Sequence, residues 1–389
     1  MTPAARVAAA ISLLDAWEAG AGRMEPLLRG WGRANRYAGS GDRRAVGDIV
    51  YTCLRRRRSL GALSGATGGR GLAHGLALSE GWPIEEIFSG VGHAPAPLTE
   101  AEATGRRRAA PDPVRFDHPD WLEPILKEDL GARYAAVMEA LSHRAPVDLR
   151  VNRLKADRDG VLSALAADGV DAAALPTPGA IRCKPGARVA GSRVLVDGWA
   201  EPQDEASQMA AALAAPAPGE TVLDFCAGGG GKALAFTSLM SGRGRVIAHD
   251  VSPIRMRDIP ARAARAGAKV EIADGAVLGA LRGACDLVFV DAPCSGSGAW
   301  RRDPETKWRL TPDLLATRIA DQRAAFAAAL AYLKPGGRIA YATCSILSAE
   351  NAAQADLFQR EHRLTEIARM RHLPDEGADG FFCAVMTAA

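Results

Sequence analysis

The stretch Asp286-Leu287-Val288-Phe289-Val290-Asp291-Ala292-Pro293-Cys294-Ser295-Gly296-Ser297-Gly298 restricts the possible folds of this chain more than any other. Its apolar run, Leu287 to Val290, is mostly β-branched or aromatic and reads as a strand buried on both faces, as in a parallel sheet. Asp291 ends the run. Pro293 disfavours helix at the residue before it, and the Gly/Ser run after it keeps the loop open. Open α/β sheets bind ligands outside the carboxyl ends of their strands. A carboxylate and a thiol, Asp291 and Cys294, are therefore presented close together at a place suited to chemistry. Taken alone, Cys294 reads equally well as a redox-silent buried thiol, because free cysteine is among the most buried residue types.

Strand-like runs recur around this stretch, each followed by a helical pattern, from about residue 201 to 389. This alternation predicts a doubly wound α/β sheet. Thr221-Val222-Leu223-Asp224 leads into Cys226-Ala227-Gly228-Gly229-Gly230-Gly231-Lys232, a glycine run that lets a helix N-terminus and bare backbone approach a ligand. Arg245 to Ala248 ends at His249-Asp250, Lys269 to Ile272 ends near Asp274, and Arg338 to Ala342 ends at Thr343-Cys344-Ser345. Helix is expected around Ala324 to Leu333, followed by a turn at Lys334 to Gly337. The glycine run alone indicates only a nucleotide-like cofactor, and its spacing is not that of a dinucleotide fingerprint. Acids at four strand ends, Asp224, Asp250, Asp274 and Asp291, suit the amine, ribose and adenine of S-adenosylmethionine better than a pyrophosphate.

Residues 1–120 read as a helical domain plus linker. Ala9, Leu13, Ala16 and Trp17 share one face, and Val46, Ile49, Val50, Cys53 and Leu54 repeat at helical spacing into Arg55 to Arg58. Prolines and a second cluster, Arg106 to Arg108, mark the linker. Residues 121–200 read as a small α+β module with strands at Val147 to Asn152, Ala180 to Cys183 and Arg193 to Val196. Arg150, Asn152, Arg153 and Lys155 give it a basic polar edge. Net charge is only +3 over 389 residues, so any case for RNA rests on the clustering of the arginines, including Arg301-Arg302; each cluster reads equally as a solvated surface, and the helical module equally as a protein-binding bundle. The seven cysteines show neither CxxC pairs nor metal-ligand spacing, which argues against a disulfide framework or structural zinc and fits a reducing cytoplasm. A signal-peptide layout and a membrane-length apolar run are both absent, so a cytoplasmic protein without membrane or metal is expected.

Asp291-Ala292-Pro293-Cys294-Ser295-Gly296-Ser297-Gly298, together with Thr343-Cys344-Ser345 and Glu350-Asn351, resembles the paired motifs of the Nop/Sun family of RNA cytosine-C5 methyltransferases. Asp224 to Lys232 is similar to that family's cofactor loop, and Gln203 to Gln208 and Asp379 to Phe382 also match its pattern. Leu149 to Lys155 resembles its RNA-binding module, and the N-terminal helices resemble the NusB-like domain of some bacterial rRNA members. The resemblance implies a class I methyltransferase Rossmann-like fold, S-adenosylmethionine as cofactor, and RNA as substrate, most readily small-subunit ribosomal RNA, with a monomer expected.

The resemblance also assigns roles. Cytosine C5 becomes nucleophilic only after something adds at C6. Cys344 is the implied nucleophile and Cys294 the residue that aids its release. Asp291 would hold the base edge, with Lys232 assisting electrostatically. Cys226, Ala227, Gly228, Gly229, Gly230, Gly231, Lys232, Asp250, Asp274 and Asp291 would bind the cofactor. The side chain of Cys226 reads as structural, as do Cys53, Cys183, Cys285 and Cys383. Gly229 stands where the family usually has Pro, and Ala233 where it has Thr, which bears on cofactor affinity. The alternatives are a tRNA cytosine-C5 methyltransferase and a ribosome-assembly RNA-binding factor on the same fold. A DNA cytosine methyltransferase would use one Cys, in the loop that carries Cys294, and the second Cys motif argues against it. A dehydrogenase is disfavoured by the four acids. The Arg55 to Arg58 cluster is expected to dock structured RNA, in a module separable from the chemical step.

Overall fold

A computed structural model describes residues 1–104 and 112–388. The Arg106 to Arg108 cluster lies outside the described residues. The chain forms two units.

The first unit runs from Met1 to Arg144 and takes in Trp300–Arg309. It is helical, with α1 (Pro3–Glu18), α2 (Met24–Ala34), α3 (Ser40–Arg55), α4 (Arg57–Ser64) and α5 (Gly68–Ser79). The Thr2 hydroxyl accepts from the Ala5 amide and starts α1, with proline at its first position. The faces read from the sequence close on one another: Leu13, Leu14, Val46, Val50, Cys53, Leu54 and Leu72 share one core. Residues 121–144, expected with the α+β module, pack within this helical unit. So does Trp300–Arg309, which interrupts the second unit in sequence. No local pattern signals that, because its partners lie far away along the chain.

The second unit holds two sheets among the described residues. The smaller is antiparallel, ordered β2-β3-β1-β4, from β1 (Val147–Val151), β2 (Ala172–Ala174), β3 (Ala180–Cys183) and β4 (Ala200–Pro202), with helix α6 (Arg158–Ala167) between β1 and β2. The strand expected at Arg193 to Val196 is a helical turn. The ladder beside β1 is taken by β4, so Arg193–Val196 satisfies its backbone locally, with Asp197 N–H donating to Arg193 O.

The larger sheet orders seven strands as β10-β11-β9-β8-β5-β6-β7. They are β5 (Thr221–Asp224), β6 (Arg245–Ala248), β7 (Glu271–Ile272), β8 (Cys285–Asp291), β9 (Leu333–Thr343), β10 (Leu364–His372) and β11 (Phe381–Ala388). The run from β9 to β7 is parallel, and β10 and β11 add antiparallel. Strand β8 sits inside the sheet, and Leu287 to Val290 are 0% exposed, as the apolar run predicts. Cores of buried residues cover the sheet, one including α7 (Glu205–Leu213) and α8 (Gly231–Leu239), the other including α10 (Pro312–Leu330) and α11 (Ala352–His362), with α9 (Ile259–Ala266) contributing to the first. Lys334 to Gly337, expected as a turn, lies within β9 as a bulge: Cys285 pairs with Leu333, and the next pair is Leu287 with Arg338. Helix α10 starts well before the position its sequence suggested. The edge strand β10 went unread because charged residues alternate along it. Register aligns Asp291 with Ala342 and Asp224 with Phe289 and Ala248. The parallel strands thus end together, at the edge where Asp224, Asp291 and Cys344 lie. Among the described residues, no helix is long and apolar enough to cross a membrane.

Candidate active site

The two cysteine loops leave adjacent parallel strands, and the structure brings their thiols together. Cys294 Sγ and Cys344 Sγ are 3.5 Å apart, and both side chains are partly exposed, whereas Cys53, Cys183, Cys285 and Cys383 are buried. Backbone fixes the loops as well. The Gly298 amide donates to Cys344 O, and the Gly380 amide donates to Gly298 O. The chains approach so closely that a Cβ at Gly298 would lie 2.1 Å from Gly380 O, which explains the glycines of both motifs.

The hydrogen bond with Cys344 raises the Cys294 pKa well above the ordinary thiol value, and burial and the nearby Glu350 charge push the same way. Cys294 is thereby held as a neutral thiol able to donate. Lys232, at the start of α8, donates to Asp291 Oδ2 at 2.6 Å. Burial opposes the lysine's charge, but Asp291 and Asp224 outweigh it, its pKa rises, and its charge also interacts with Cys344. Asp291, Lys232, Cys294 and Cys344, the four expected catalytic residues, are brought to one edge of the sheet.

Sequence reasoning counted Asp224 among the four acids that suit the cofactor without naming it as a binding residue. It is fully buried, and neither carboxylate oxygen has a hydrogen-bond partner. Burial drives its pKa up to about 7, against Lys232, and the Ala233 amide lies near enough to favour the charged form without forming that bond. A buried carboxylate without a donor is a place for a cation. Beside it, Gly230 caps α8 in the left-handed region at φ 78°, where a Cβ would meet Ile259 at 2.8 Å. The residues fit the cationic amino-acid portion of S-adenosylmethionine against Asp224 and the loop backbone.

Asp250 is buried, accepts from the Gly228 amide at 3.0 Å and pairs with Arg255 at 3.0 Å. Its place after β6 suits a ribose diol. Asp274 is exposed and caps the short helix after β7 by accepting from Val277 N. Gly229 is restrained by Arg262, which donates to its carbonyl, so a side-chain contact stands where the family has the stiff ring of proline. Ala233 is fully buried in the core and exposes no group toward a ligand.

Both basic clusters expected to meet RNA have partners within the chain. In the Arg55 to Arg58 cluster, Arg55 is buried and donates to Arg301 O, and burial lowers its pKa to about 10. Arg56 pairs with Glu80, Arg57 with Glu18 and Arg58 with Asp120. The basic edge of the α+β module is used likewise. Arg150 is buried and donates to Gln203, Asn152 donates to Gly198 O and Ala266 O, Lys155 donates to Asp197 O and Arg265 O, and Arg153 holds Ser238 Oγ by its backbone amide while its exposed guanidinium donates to Pro178 O. These residues dock the module on the helices of the large sheet. Their charge was legible in the sequence, but their partners, far away along the chain, were not.

The family model for 16S rRNA methyltransferase RsmB/F matches residues 211–386, and that for the RsmF/B-like ferredoxin-like domain matches residues 118–190. The chain is 37% identical over 277 residues to a ribosomal RNA small subunit methyltransferase B of Sodalis glossinidius, covering 69% of this chain and 63% of that one. It is 33% identical over 300 residues to the protein of that name from Serratia proteamaculans, covering 72% of this chain and 68% of the relative. The crystal structure of PH0851 shares the fold with a TM-score of 0.78, at 24% identity and over 100% of this chain and 99% of that one. Paired cysteine loops, the Lys232–Asp291 pair and these matches together show that the chain belongs to the Nop/Sun family of S-adenosylmethionine-dependent RNA cytosine-C5 methyltransferases, of the RsmB/F type.

Proposed function

We propose that this protein methylates C5 of a cytosine in small-subunit ribosomal RNA, with Cys344 as nucleophile and Cys294 as the residue that aids its release. The observation that carries this is the 3.5 Å approach of the two thiols next to the Lys232–Asp291 pair. Cys344 sulfur bonds to cytosine C6, and the ring electrons move toward C5 and N3. Asp291 holds the base edge, and the charge of Lys232 faces the electron density that develops. Bound S-adenosylmethionine supplies an electrophilic methyl group. Once C5 has gained the methyl, with S-adenosylhomocysteine as the leaving group, and has lost its proton to water, the C5–C6 double bond re-forms, the electron pair of the Cys344–C6 bond returns to sulfur and the ring regains aromaticity. Cys294, neutral and hydrogen-bonded to the same sulfur, is placed to assist that departure. The target base must leave its stack, so an unpaired or opened cytosine is required.

Asp250 would hold the ribose, the backbone of Ala227 to Gly231 the methionine portion, and Asp274 the base side of the cofactor, its carboxylate lying beyond β7. The same reading places the enzyme in the cytoplasm as a monomer working without a metal. The ribosomal substrate rests on the names of the relatives. Bisulfite sequencing of total RNA with and without the gene tests it. One small-subunit rRNA cytosine protected only when the gene is present is expected. Protection of a tRNA cytosine instead would transfer the reading to tRNA, and an unchanged map would end it.

A further inference from the structure

We propose that Glu350 is a positioning residue that ties the Cys294 and Cys344 loops into one unit through the serine that follows each cysteine. This rests on the reading of the two thiols given above. Glu350 is 0% exposed, and its carboxylate takes four hydrogen bonds. Oε1 accepts from the Ser295 amide at 2.8 Å and from Gln322 Nε2 at 3.0 Å. Oε2 accepts from Ser295 Oγ at 2.5 Å and Ser345 Oγ at 2.6 Å. One carboxylate therefore grips the residue after Cys294 and the residue after Cys344. A buried charge held by neutral donors is stable only if those donors stay in place, so the arrangement resists movement of either loop.

Surrounding bonds leave little slack. Ser297 Oγ lies 2.9 Å from Ser345 Oγ and accepts from the Ile346 amide. Ser345 Oγ accepts from the Leu347 amide. Gln322 also donates to Pro293 O, ahead of Cys294, and Tyr341 donates its hydroxyl proton to Glu350 O. Gln322 comes from α10 and Tyr341 from β9, so the grip is referred to rigid elements. Each cysteine is one residue from the shared carboxylate, and a small shift of either loop changes the distance between the sulfurs.

The test reads that distance on the protein alone. Diamide oxidises two neighbouring thiols to a disulfide: Cys294 and Cys344 each give up a hydrogen, both are taken by the diazene as it becomes a hydrazine, and the sulfurs bond. The linked peptide is followed by mass spectrometry, beside thermal melting, calorimetric S-adenosylmethionine affinity and steady-state methylation. Glu350→Gln keeps the shape and removes the charge. It is expected to slow disulfide formation and lower kcat by about tenfold each, with KM for RNA and cofactor affinity within about twofold. Glu350→Asp is expected to recover part of both rates. A folded Glu350→Gln protein with wild-type linking rate and kcat overturns the proposal. Should the Glu350 variants fail to fold, Ser295→Ala and Ser345→Ala, each removing one arm, decide by the same linking rate: slowed linking supports the proposal, and wild-type linking in both overturns it. A protein that links normally but methylates no ribosomal RNA would count against the proposed function and leave this inference standing.

Discussion

Asp224 has no hydrogen-bond partner and a pKa of about 7, so it would make the proposed cofactor site sensitive to pH. Its folded pKa lies above the unfolded carboxylate value of about 3.9. Between those values the folded state holds a proton that the unfolded state lacks. The free protein therefore loses stability as pH rises through this window, and above about 7 the contribution is gone. A cationic ligand favours the ionised carboxylate, so cofactor affinity should rise over the same range, with proton release on binding. Calorimetry in buffers of different ionisation enthalpy near pH 6.5 should detect that proton. Asp224→Asn should flatten the pH dependence, weaken binding by about tenfold or more, and stabilise the free protein at pH 8. A wild type with flat affinity from pH 6 to 8 would separate Asp224 from the cofactor. At the thiols, Cys294→Ala should accumulate a covalent protein–RNA complex that survives denaturing electrophoresis, and Cys344→Ala should form none. The absence of a shifted band in Cys294→Ala, with turnover intact, would make Cys294 structural.

At the level of elements, the turn after β1 shows how a basic motif can serve assembly rather than RNA. Asn152 Nδ2 donates to Gly198 O at 2.8 Å and to Ala266 O at 2.7 Å, joining the small sheet's connection to the C-terminal end of α9. Glu201 adds ion pairs to Arg262 and Arg265 on the same helix. Arg262 in turn holds Gly229 O, so the docking reaches the cofactor loop. Asn152→Ala should leave two buried carbonyls without donors and cost about 2–3 kcal/mol. In a unit of this size that lowers Tm by roughly 4–12 °C. Asn152→Asp should be worse, because its carboxylate would face two carbonyl oxygens. Melting curves for the two variants, with RNA affinity measured alongside, decide between assembly and RNA contact. A loss of RNA affinity without loss of stability would restore the RNA role.

For the whole molecule, the helical unit includes a piece of chain drawn from the catalytic sequence. Glu305 accepts from Trp17 Nε1 at 3.0 Å, from Arg23 Nε at 2.6 Å and from the Met24 amide at 2.9 Å. Lys307 is buried and donates to Arg55 O, and Trp308 donates to Leu54 O. This segment begins directly after Ala299, in the continuation of the Cys294 loop. The N-terminal helices thus share their unit with residues that a cut at 120 would leave behind. Their removal would leave Lys307 and Trp308 without the carbonyls they now donate to. Glu305→Ala should destabilise the helical unit by about 2–4 kcal/mol and make the 300–309 segment a site of proteolysis. A full-length Glu305→Ala protein with unchanged melting and protease resistance would show the segment to be loosely held.

The sequence by itself determined the parallel sheet, the carboxylates at its strand ends and the two cysteine loops. Each is written in contiguous residues: apolar runs, an acid that stops them, and the Pro/Gly chemistry of the turns. It also determined the helical character of the N-terminal unit, through one-sided apolar spacing in α1 and α3. Tertiary structure decided what no local pattern encodes. It set the 3.5 Å between sulfurs fifty positions apart, the grip of Glu350 on both loops and the isolation of Asp224. It turned Arg193 to Val196 into a helical turn by giving the ladder to β4. It assigned most of the clustered arginines to partners inside the chain. The physical reason is common to all of these. Burial and hydrogen-bond partnership depend on which distant backbone and side chains arrive, and a charged residue's role changes from ligand contact to internal strut when a carboxylate or carbonyl is there to receive it.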